Sequence, residues 1–413
     1  MNKLLTCLLL SAMLANNSCN EPEKNTDIKK DVFTSAPGTF GYDYQFLQKY
    51  DSIILLKSDD PDAQVVVSPK YQGKVFTSTA NGDQGFSFGW VNYKAFSDSV
   101  NQHMNAYGGE NRLWLGPEGG IFSLFFKPKA EMVYENWKTP PSVDTESWTV
   151  ISKTQTRVMM RKEMHLTNYQ GTALNLAIDR SVRILSRQTI TNDLKIDSDI
   201  QVKVVAYETT NTITNTGDFE WTEKTGMPCI WLLDMLKPSP SAVIVVPFLE
   251  TPVDSFSHVA TTNYFGEIPP DRLKHINNTL FFKADGKSRG KLGIHPEKAK
   301  PVAGSYDSTN KALTIILFDL SSNARYLNQE WNTTKPPFSG DAVNAYNDGP
   351  LADGKQMGPF YEIESVSPAA FLKPEQSLTH HHTVIHFTGE EKVLDKIAQK
   401  FLGVSLETIK QQF

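Results

Sequence analysis

Short apolar runs separated by turn-forming residues recur along most of this 413-residue chain. The runs are rich in Val, Ile, Phe and Thr, as in AQVVVSP, GKVFTST, GGIFSLFF and HHTVIHF. Gly, Asn, Asp and Pro divide them at fairly even spacing, which is typical of an antiparallel sandwich or barrel. Since no Pro- or Ser-rich linker interrupts the series, the pattern predicts an all-β fold in one domain over residues 39–413.

The end of the chain follows a helical period instead. From residue 390 to 412, apolar residues such as Val393, Leu394 and Ile397 recur at three- and four-residue spacing. This spacing gives a helix one apolar face. We expect the C-terminal helix to cover an edge of the sandwich.

The first residues have the features of a secretory leader. Lys3 precedes an apolar run from Leu4 to Ala15, shorter than the ~20 residues that span a bilayer. The run is followed by Ser18 and Cys19, and lipoprotein signal peptidase requires a small residue before its cysteine. Cleavage near Ala15 by the ordinary signal peptidase, giving a soluble periplasmic protein, is the alternative.

These features predict a lipoprotein. We expect residues 1–18 to be removed, Cys19 to carry the lipid and residues 19–38 to form a flexible, polar tether. The protein would then be anchored in the cell envelope, on the periplasmic or the surface face of the outer membrane. Cys229 is the one other cysteine of the mature chain, so no disulfide pair is available within its domain.

The charge pattern limits the choice of partner. The net charge is -5 and no basic block is present, which argues against nucleic acid as a partner. Aromatic residues make up 11% of the chain, a level that suits either a sugar-binding surface or a large β core. We expect a monomer.

The segment from 358 to 389 carries the first candidate for chemistry. Side chains alternate between the faces of a strand, so Glu362 and Glu364 point one way and Tyr361 and Ile363 the other. Two carboxylates held close push their titrations apart, which leaves one as an acid and one as a base near neutral pH. A solvent-facing strand or a salt bridge to Lys or Arg is the alternative interpretation.

This segment resembles the C-terminal end of galactose mutarotases (aldose 1-epimerases) and their relatives. The similar residues are Ile363-Glu364-Ser365 and the Pro-containing segment Leu372-Lys373-Pro374-Glu375. The resemblance implies a large antiparallel β-supersandwich and Glu364 as the catalytic base. We take Glu362 as the partner of Glu364 and expect no cofactor, because proton transfer at an anomeric or adjacent carbon needs none. The segment from Asn111 to Pro117 is similar to the hexose-phosphate branch of that family, which implies that Arg112 contacts the sugar.

Family members also use histidines to protonate the ring oxygen of the sugar. The segment at that point here, Thr212 to Gly217, has no histidine. His165 is the candidate to supply the acid in its place. As a whole, from about residue 40 to 390, the chain resembles more closely a family of Bacteroidetes lipoproteins, a resemblance that implies no particular reaction.

A polar segment, GDAVNAYNDGP, precedes the two glutamates. We interpret it as a loop that supplies sugar-binding side chains, namely Asp341, Asn344, Tyr346, Asn347 and Asp348. The same residues could instead build turns by bonding to their own backbone, or supply oxygen ligands to Ca²⁺. No EF-hand spacing supports the calcium interpretation, and we predict no metal site.

Three consecutive histidines lie in the last predicted strand. Alternation places His380 and His382 on one face and His381 on the other. Zinc would need further ligands in a recognisable spacing, and none is present. They are either structural, or His380 and His382 line the sugar pocket.

The sequence therefore predicts a carbohydrate-active lipoprotein that acts on a sugar or glycan fragment by carboxylate acid–base chemistry. An isomerase of the aldose 1-epimerase type and another carbohydrate-active enzyme both fit. A non-catalytic glycan-binding lipoprotein is the alternative.

Overall fold

The structure, a computed structural model, describes residues 33–196, 202–250 and 259–413. The predicted leader, the lipidation site Cys19 and most of the tether lie outside the described residues. None of the described helices is long and apolar enough to cross a membrane.

The described part is built mainly from strands. In chain order they are β1 (Ile54–Lys57), β2 (Gln64–Ser68), β3 (Lys74–Thr79), β4 (Arg112–Gly116), β5 (Thr149–Lys153), β6 (Arg157–Thr167), β7 (Ala173–Ile184), β8 (Lys203–Asn215), β9 (Cys229–Leu236), β10 (Ala242–Pro247), β11 (Ala260–Thr261), β12 (Leu273–Ile276), β13 (Thr279–Lys283), β14 (Gly290–Ile294), β15 (Val302–Asp307), β16 (Ala312–Phe318), β17 (Val343–Asn347), β18 (Tyr361–Val366) and β19 (Ser377–Thr388). The α-helices are α1 (Phe40–Leu47), α2 (Arg187–Leu194), α3 (Glu391–Leu402) and α4 (Leu406–Lys410), and 3-10 turns cover Tyr93–Phe96, Tyr134–Asn136 and Pro141–Val143.

A ten-stranded antiparallel sheet forms the larger layer, in the order β12-β13-β10-β15-β16-β19-β8-β7-β6-β5. Its long strands show why the sequence folds this way. In β6, for example, Val158, Met160 and Met164 are buried while their neighbours Met159 and His165 are exposed. This alternation fixes which face packs inward.

A six-stranded antiparallel sheet forms the second layer, in the order β11-β14-β17-β18-β9-β4. Here β4, β9, β14, β17 and β18 are buried along their whole length. The third sheet, β1-β2-β3, continues this layer, because Val75 of β3 forms an antiparallel bridge with Asn111 just before β4.

The main core lies between the two large sheets. Ile363 of β18 and Leu232 of β9 belong to the same buried apolar cluster as Val205 of β8 and Val384 of β19. A second cluster lies on the outer face of the ten-stranded sheet, where Leu394 and other residues of α3 and α4 cover it. The predicted class, all-β with large antiparallel sheets and a helical C-terminus, is thus confirmed.

Several local predictions were wrong. The single C-terminal helix is two helices, because Gly403 adopts the left-handed conformation and ends α3. The predicted strand GGIFSLFF forms turns, although Phe122, Phe125 and Phe126 are buried among other aromatic rings. The polar GDAVNAYNDGP segment, interpreted as a loop, contains strand β17.

Candidate functional site

Charged side chains collect on the face of the six-stranded sheet that points away from the ten-stranded sheet. Strand β18 shows the division. Tyr361 and Ser365 bond to side chains of the ten-stranded sheet, so Glu362 and Glu364 point to the other side. The cross-strand register places Asn344 opposite Glu364 and Tyr346 opposite Glu362.

Glu362 is paired with Arg112. The Arg112 guanidinium donates from Nη2 to Glu362 Oε1, and the side chains of both residues are buried. The guanidinium carbon also lies 5.0 Å from the centre of the Trp114 ring. Arg112 reaches Glu362 because β4 and β18 flank the same strand, β9.

Burial raises the pKa of Glu362 from 4.5 to about 7. The charge of Arg112 opposes this effect, and the charge of Glu364 adds to it. Glu362 therefore exchanges its proton in the physiological range. A carboxyl group of this kind is suited to donate or accept a proton in a reaction near neutral pH.

Glu364 is held through one oxygen only. Its Oε2 accepts hydrogen bonds from Lys291 Nζ and Trp231 Nε1, each at 2.8 Å. The Lys291 ammonium also lies 4.6 Å from the centre of the Trp231 ring. These contacts orient the carboxylate, and its other oxygen, Oε1, has no hydrogen-bond partner among the described residues.

Three buried polar atoms on this face have no hydrogen-bond partner among the described residues. They are Glu364 Oε1, Asn344 Oδ1 and Arg112 Nε. The exposed fractions of their residues are 1%, 1% and 5%, respectively. Buried polar atoms are nearly always hydrogen-bonded. These two acceptors and one donor are exceptions, and each has the capacity to bond to a polar ligand.

A second polar group adjoins Asn344. Asp341 accepts a hydrogen bond from the Tyr264 hydroxyl at 2.6 Å and pairs with His295 Nδ1 at 2.8 Å. This contact with Asp341 raises the pKa of His295. Gly293 makes the arrangement possible, because a Cβ there would overlap Asp341 Oδ2 and lie 2.5 Å from Asn344 Nδ2.

The remaining residues of this segment have different partners. Tyr346 donates from its hydroxyl to Asp348 Oδ1 at 3.0 Å, and Asp348 Oδ2 accepts from the Gly358 amide at 2.8 Å. Asn347 lies on the opposite face and bonds to the backbone of Gly286 and Ser288. Asn347 and Asp348 therefore hold neighbouring loop segments in place, and Tyr346 lies on the face of the glutamates.

A family model described as "Family of unknown function (DUF6786)" matches residues 38–413. The chain belongs to this family. A comparison with curated proteins finds no match.

Solved structures are similar to this DUF6786 member at low identity. A candidate aldose 1-epimerase from Escherichia coli K12 is 10% identical, with a TM-score of 0.49 over 81% of this chain and 99% of that chain. A galactose mutarotase-like protein from Lactobacillus casei ATCC 334 is 9% identical, with a TM-score of 0.46 over 81% of this chain and 100% of that chain. A galactose mutarotase related enzyme from Lactobacillus acidophilus is 8% identical, with a TM-score of 0.45 over 82% of this chain and 97% of that chain.

In this DUF6786 member, the buried histidines of β19 lie on the opposite side of β18 from the glutamates. His380 and His382 share the inner face of β19, as alternation predicted, and are buried between the two sheets. Both lie near Ser365 Oγ, and His382 Nε2 pairs with Asp234 Oδ2 at 2.7 Å. This Ser–His–Asp arrangement is buried, so we assign it a structural role rather than nucleophilic chemistry.

His165 is also distant from the charged face. It lies on the exposed side of β6 in the ten-stranded sheet, with Nδ1 2.7 Å from Asn175 Oδ1. It borders a groove of about 400 Å³ that is lined by segments 124–141 and 165–167. The structure therefore does not bring His165 together with Glu362 and Glu364.

No group of three or more His, Cys, Asp or Glu side chains is arranged to hold a metal ion among the residues that the structure describes. Asp341 and Asp348, the carboxylates considered for Ca²⁺, bond to separate partners.

Several residues of this face were not identified from the sequence. Lys291 and Trp231 hold Glu364. Glu118 lies near Lys291: burial raises the pKa of Glu118, and the charge of Lys291 opposes this rise. Lys74 on β3 lies across from Arg112, as described below. They lie on strands and loops far apart in the chain, and no local motif links them to the glutamates.

Proposed function

We propose that this protein is carbohydrate-active and that the charged face around Glu364 is its sugar site. One observation carries the proposal: Glu364 Oε1, Asn344 Oδ1 and Arg112 Nε are buried on one sheet face without a hydrogen-bond partner among the described residues. A sugar offers hydroxyl hydrogens to the two acceptors and an oxygen to the donor. Its substrate would be a sugar or a glycan fragment.

Aromatic side chains beside these polar atoms support the same proposal. Trp114 lies edge-on to Trp231, with ring centres 5.5 Å apart, and both adjoin the charged pairs. On the other side, Phe360 packs between Trp90 and Tyr346. Aromatic rings beside polar groups supply the apolar contact that the C–H faces of a sugar require.

The proposed reaction is interconversion of anomers. Glu364 Oε1 would take the proton from the anomeric hydroxyl while protonated Glu362 gives its proton to the ring oxygen. The bond between the anomeric carbon and the ring oxygen breaks, and the open aldehyde forms. Reclosure on the other face of the carbonyl returns both protons, so no cofactor is consumed.

Glycan binding without turnover is the second candidate, and the ion pairs favour it. Each glutamate already has a cationic partner, Arg112 for Glu362 and Lys291 for Glu364. A carboxylate held in this way recognises hydroxyl groups without needing to move a proton.

The test follows sugars by ¹H NMR. The protein is mixed with freshly dissolved pure anomers of a panel of aldoses, and the approach to anomeric equilibrium is timed. We expect acceleration by the wild type, loss of at least a hundredfold in Glu364→Gln, and no change in the exposed control Glu163→Gln. Saturation-transfer signals in both proteins without any acceleration would favour the binding candidate. No binding of any sugar would refute both candidates.

We also propose that Cys19 anchors the protein in the cell envelope. The sequence of the leader supports this proposal. Labelled palmitate should enter the wild type and the control Cys7→Ala, and should be lost from Cys19→Ala. Labelling of Cys19→Ala equal to the wild type would exclude lipid attachment at this residue.

A further inference from the structure

Lys74 is a buried cation next to the proposed sugar site. Val75 and Asn111 exchange both backbone hydrogen bonds at 3.1 Å, so the next pair, Lys74 and Arg112, lie opposite each other on the same face. That face is the one that carries Glu362, the ion-pair partner of Arg112.

Gly109 brings the two cationic side chains together. A Cβ at Gly109 would lie 2.7 Å from Lys74 Cδ and 3.3 Å from Arg112 Cγ. Both side chains therefore run past the same backbone position, with the Lys74 ammonium 5.9 Å from the centre of the Tyr107 ring. Only 3% of Lys74 is exposed.

Lys74 has no carboxylate in ion-pair contact among the described residues. Its ammonium donates to the Gly108 carbonyl at 3.1 Å. Asp144 is the acidic group whose charge favours the charged form of Lys74. Both oxygens of Asp144, however, already accept hydrogen bonds from Asn105. Burial, and next the charge of Arg112, lower the pKa of Lys74 from 10.5 to about 7.

A buried ammonium without a counter-ion is unfavourable, and an anion that enters with a ligand removes that cost. Arg112 adds a second point of contact through Nε, which has no acceptor in the described protein. Two neighbouring hydrogen-bond donors that carry positive charge match two oxygens of a carboxylate or of a phosphate group.

We infer that the Lys74–Arg112 end of the site binds the anionic substituent of an acidic sugar, a carboxylate or a phosphate. This inference rests on the proposed function, because it places the rest of the sugar against Glu362 and Glu364. It narrows the substrate class to uronic acids or sugar phosphates.

The experiment compares matched sugars by isothermal titration calorimetry at pH 6. The pairs are D-glucuronate with D-glucose, D-galacturonate with D-galactose, and D-glucose 6-phosphate with D-glucose. We expect at least one acidic sugar to bind tenfold or more tightly than its neutral partner. If the tighter binding is seen in a uronate pair, the substituent is a carboxylate; if it is seen in the glucose 6-phosphate pair, the substituent is a phosphate.

Lys74→Met keeps the length and apolar contacts of the side chain, and it removes a buried charge, so we expect it to fold. In this variant the affinity ratio should fall towards one, whereas the control Lys94→Met, at an exposed lysine, should keep the wild-type ratio. A ratio near one in the wild type, or a ratio that Lys74→Met retains, would overturn the inference. If neutral and acidic sugars bind equally, only this inference fails; if no sugar binds, the proposed function fails with it.

Discussion

The buried carboxyl group of Glu362 makes the stability of the protein depend on pH in a calculable way. Its pKa is about 7 in the folded protein, against an ordinary value of 4.5. A carboxyl whose pKa is raised by folding stabilises the protein fully below its unfolded value. That contribution is lost as the pH rises through the folded value.

Glu362→Gln removes this titration and keeps the shape of the side chain. A shift of this size corresponds to about 3 kcal/mol in the free energy of unfolding between pH 4 and pH 8. The wild type should therefore lose about that much stability relative to the variant as the pH rises. The attraction of Arg112 is already included in this pKa. Changes in packing do not vary with pH, so only the slope is informative.

Urea unfolding at several pH values, followed by tryptophan fluorescence, measures this slope. The exposed Glu163→Gln variant is the control, and its difference from the wild type should stay constant with pH. In a second measurement, ¹³C NMR of labelled glutamate carboxyls should show one resonance that titrates near pH 7 and is missing from Glu362→Gln. A stability difference that is flat with pH, or that grows in favour of the wild type, would refute the electrostatic reasoning.

Three further predictions concern the surroundings of the site. Gly293→Ala should destabilise the protein by about 1–3 kcal/mol, because the added Cβ overlaps its neighbours. Gly389→Ala is the control, since a Cβ there meets only ordinary contacts. Equal melting temperatures of the two variants would contradict this prediction. Burial lowers the pKa of His380 to about 3. The contribution of His380 to the free energy of unfolding should therefore be complete above about pH 6.5, and below that pH it should fall by up to about 1.4 kcal/mol per pH unit. The slope in acid should shrink in His380→Gln and not in the exposed His381→Gln, and equal slopes would refute it. Burial raises the pKa of the Cys229 thiol to about 12, so iodoacetamide at pH 8 should modify it only in urea; mass spectrometry showing labelling in the folded protein would contradict this.

Alternating strands were the part of the fold that the sequence predicted best. HHTVIHF in β19 and TRVMMRKEMHLTN in β6 each have one exposed and one buried face over part of their length, and period two is visible in both. Strands β9 and β14 were not predicted. Because they are buried on both faces, their sequences CIWLLDML and GKLGI show no alternation.

The candidate site could be predicted in part for the same reason. Alternation alone places Glu362 and Glu364 on one face, and the resemblance to mutarotases added Arg112. The sequence could not show which face of the sheet His380 and His382 point to. In the structure they lie between the two sheets, on the opposite side of β18 from the glutamates. Lys291 and Trp231 are 73 and 133 positions from Glu364 along the chain, so only the strand order of the sheet brings them together.

Strand β18 separates two chemical environments by one residue. Glu364 faces the charged side, and Ser365, the next residue, faces the buried histidines of β19. Deleting or inserting one residue of β18 ahead of Glu362 would turn both carboxylates towards the space between the two sheets and bring Ile363 out to the charged pairs. Variation among relatives should therefore replace side chains in this strand while preserving its length. Changes in length should collect instead in exposed connections such as residues 351–355.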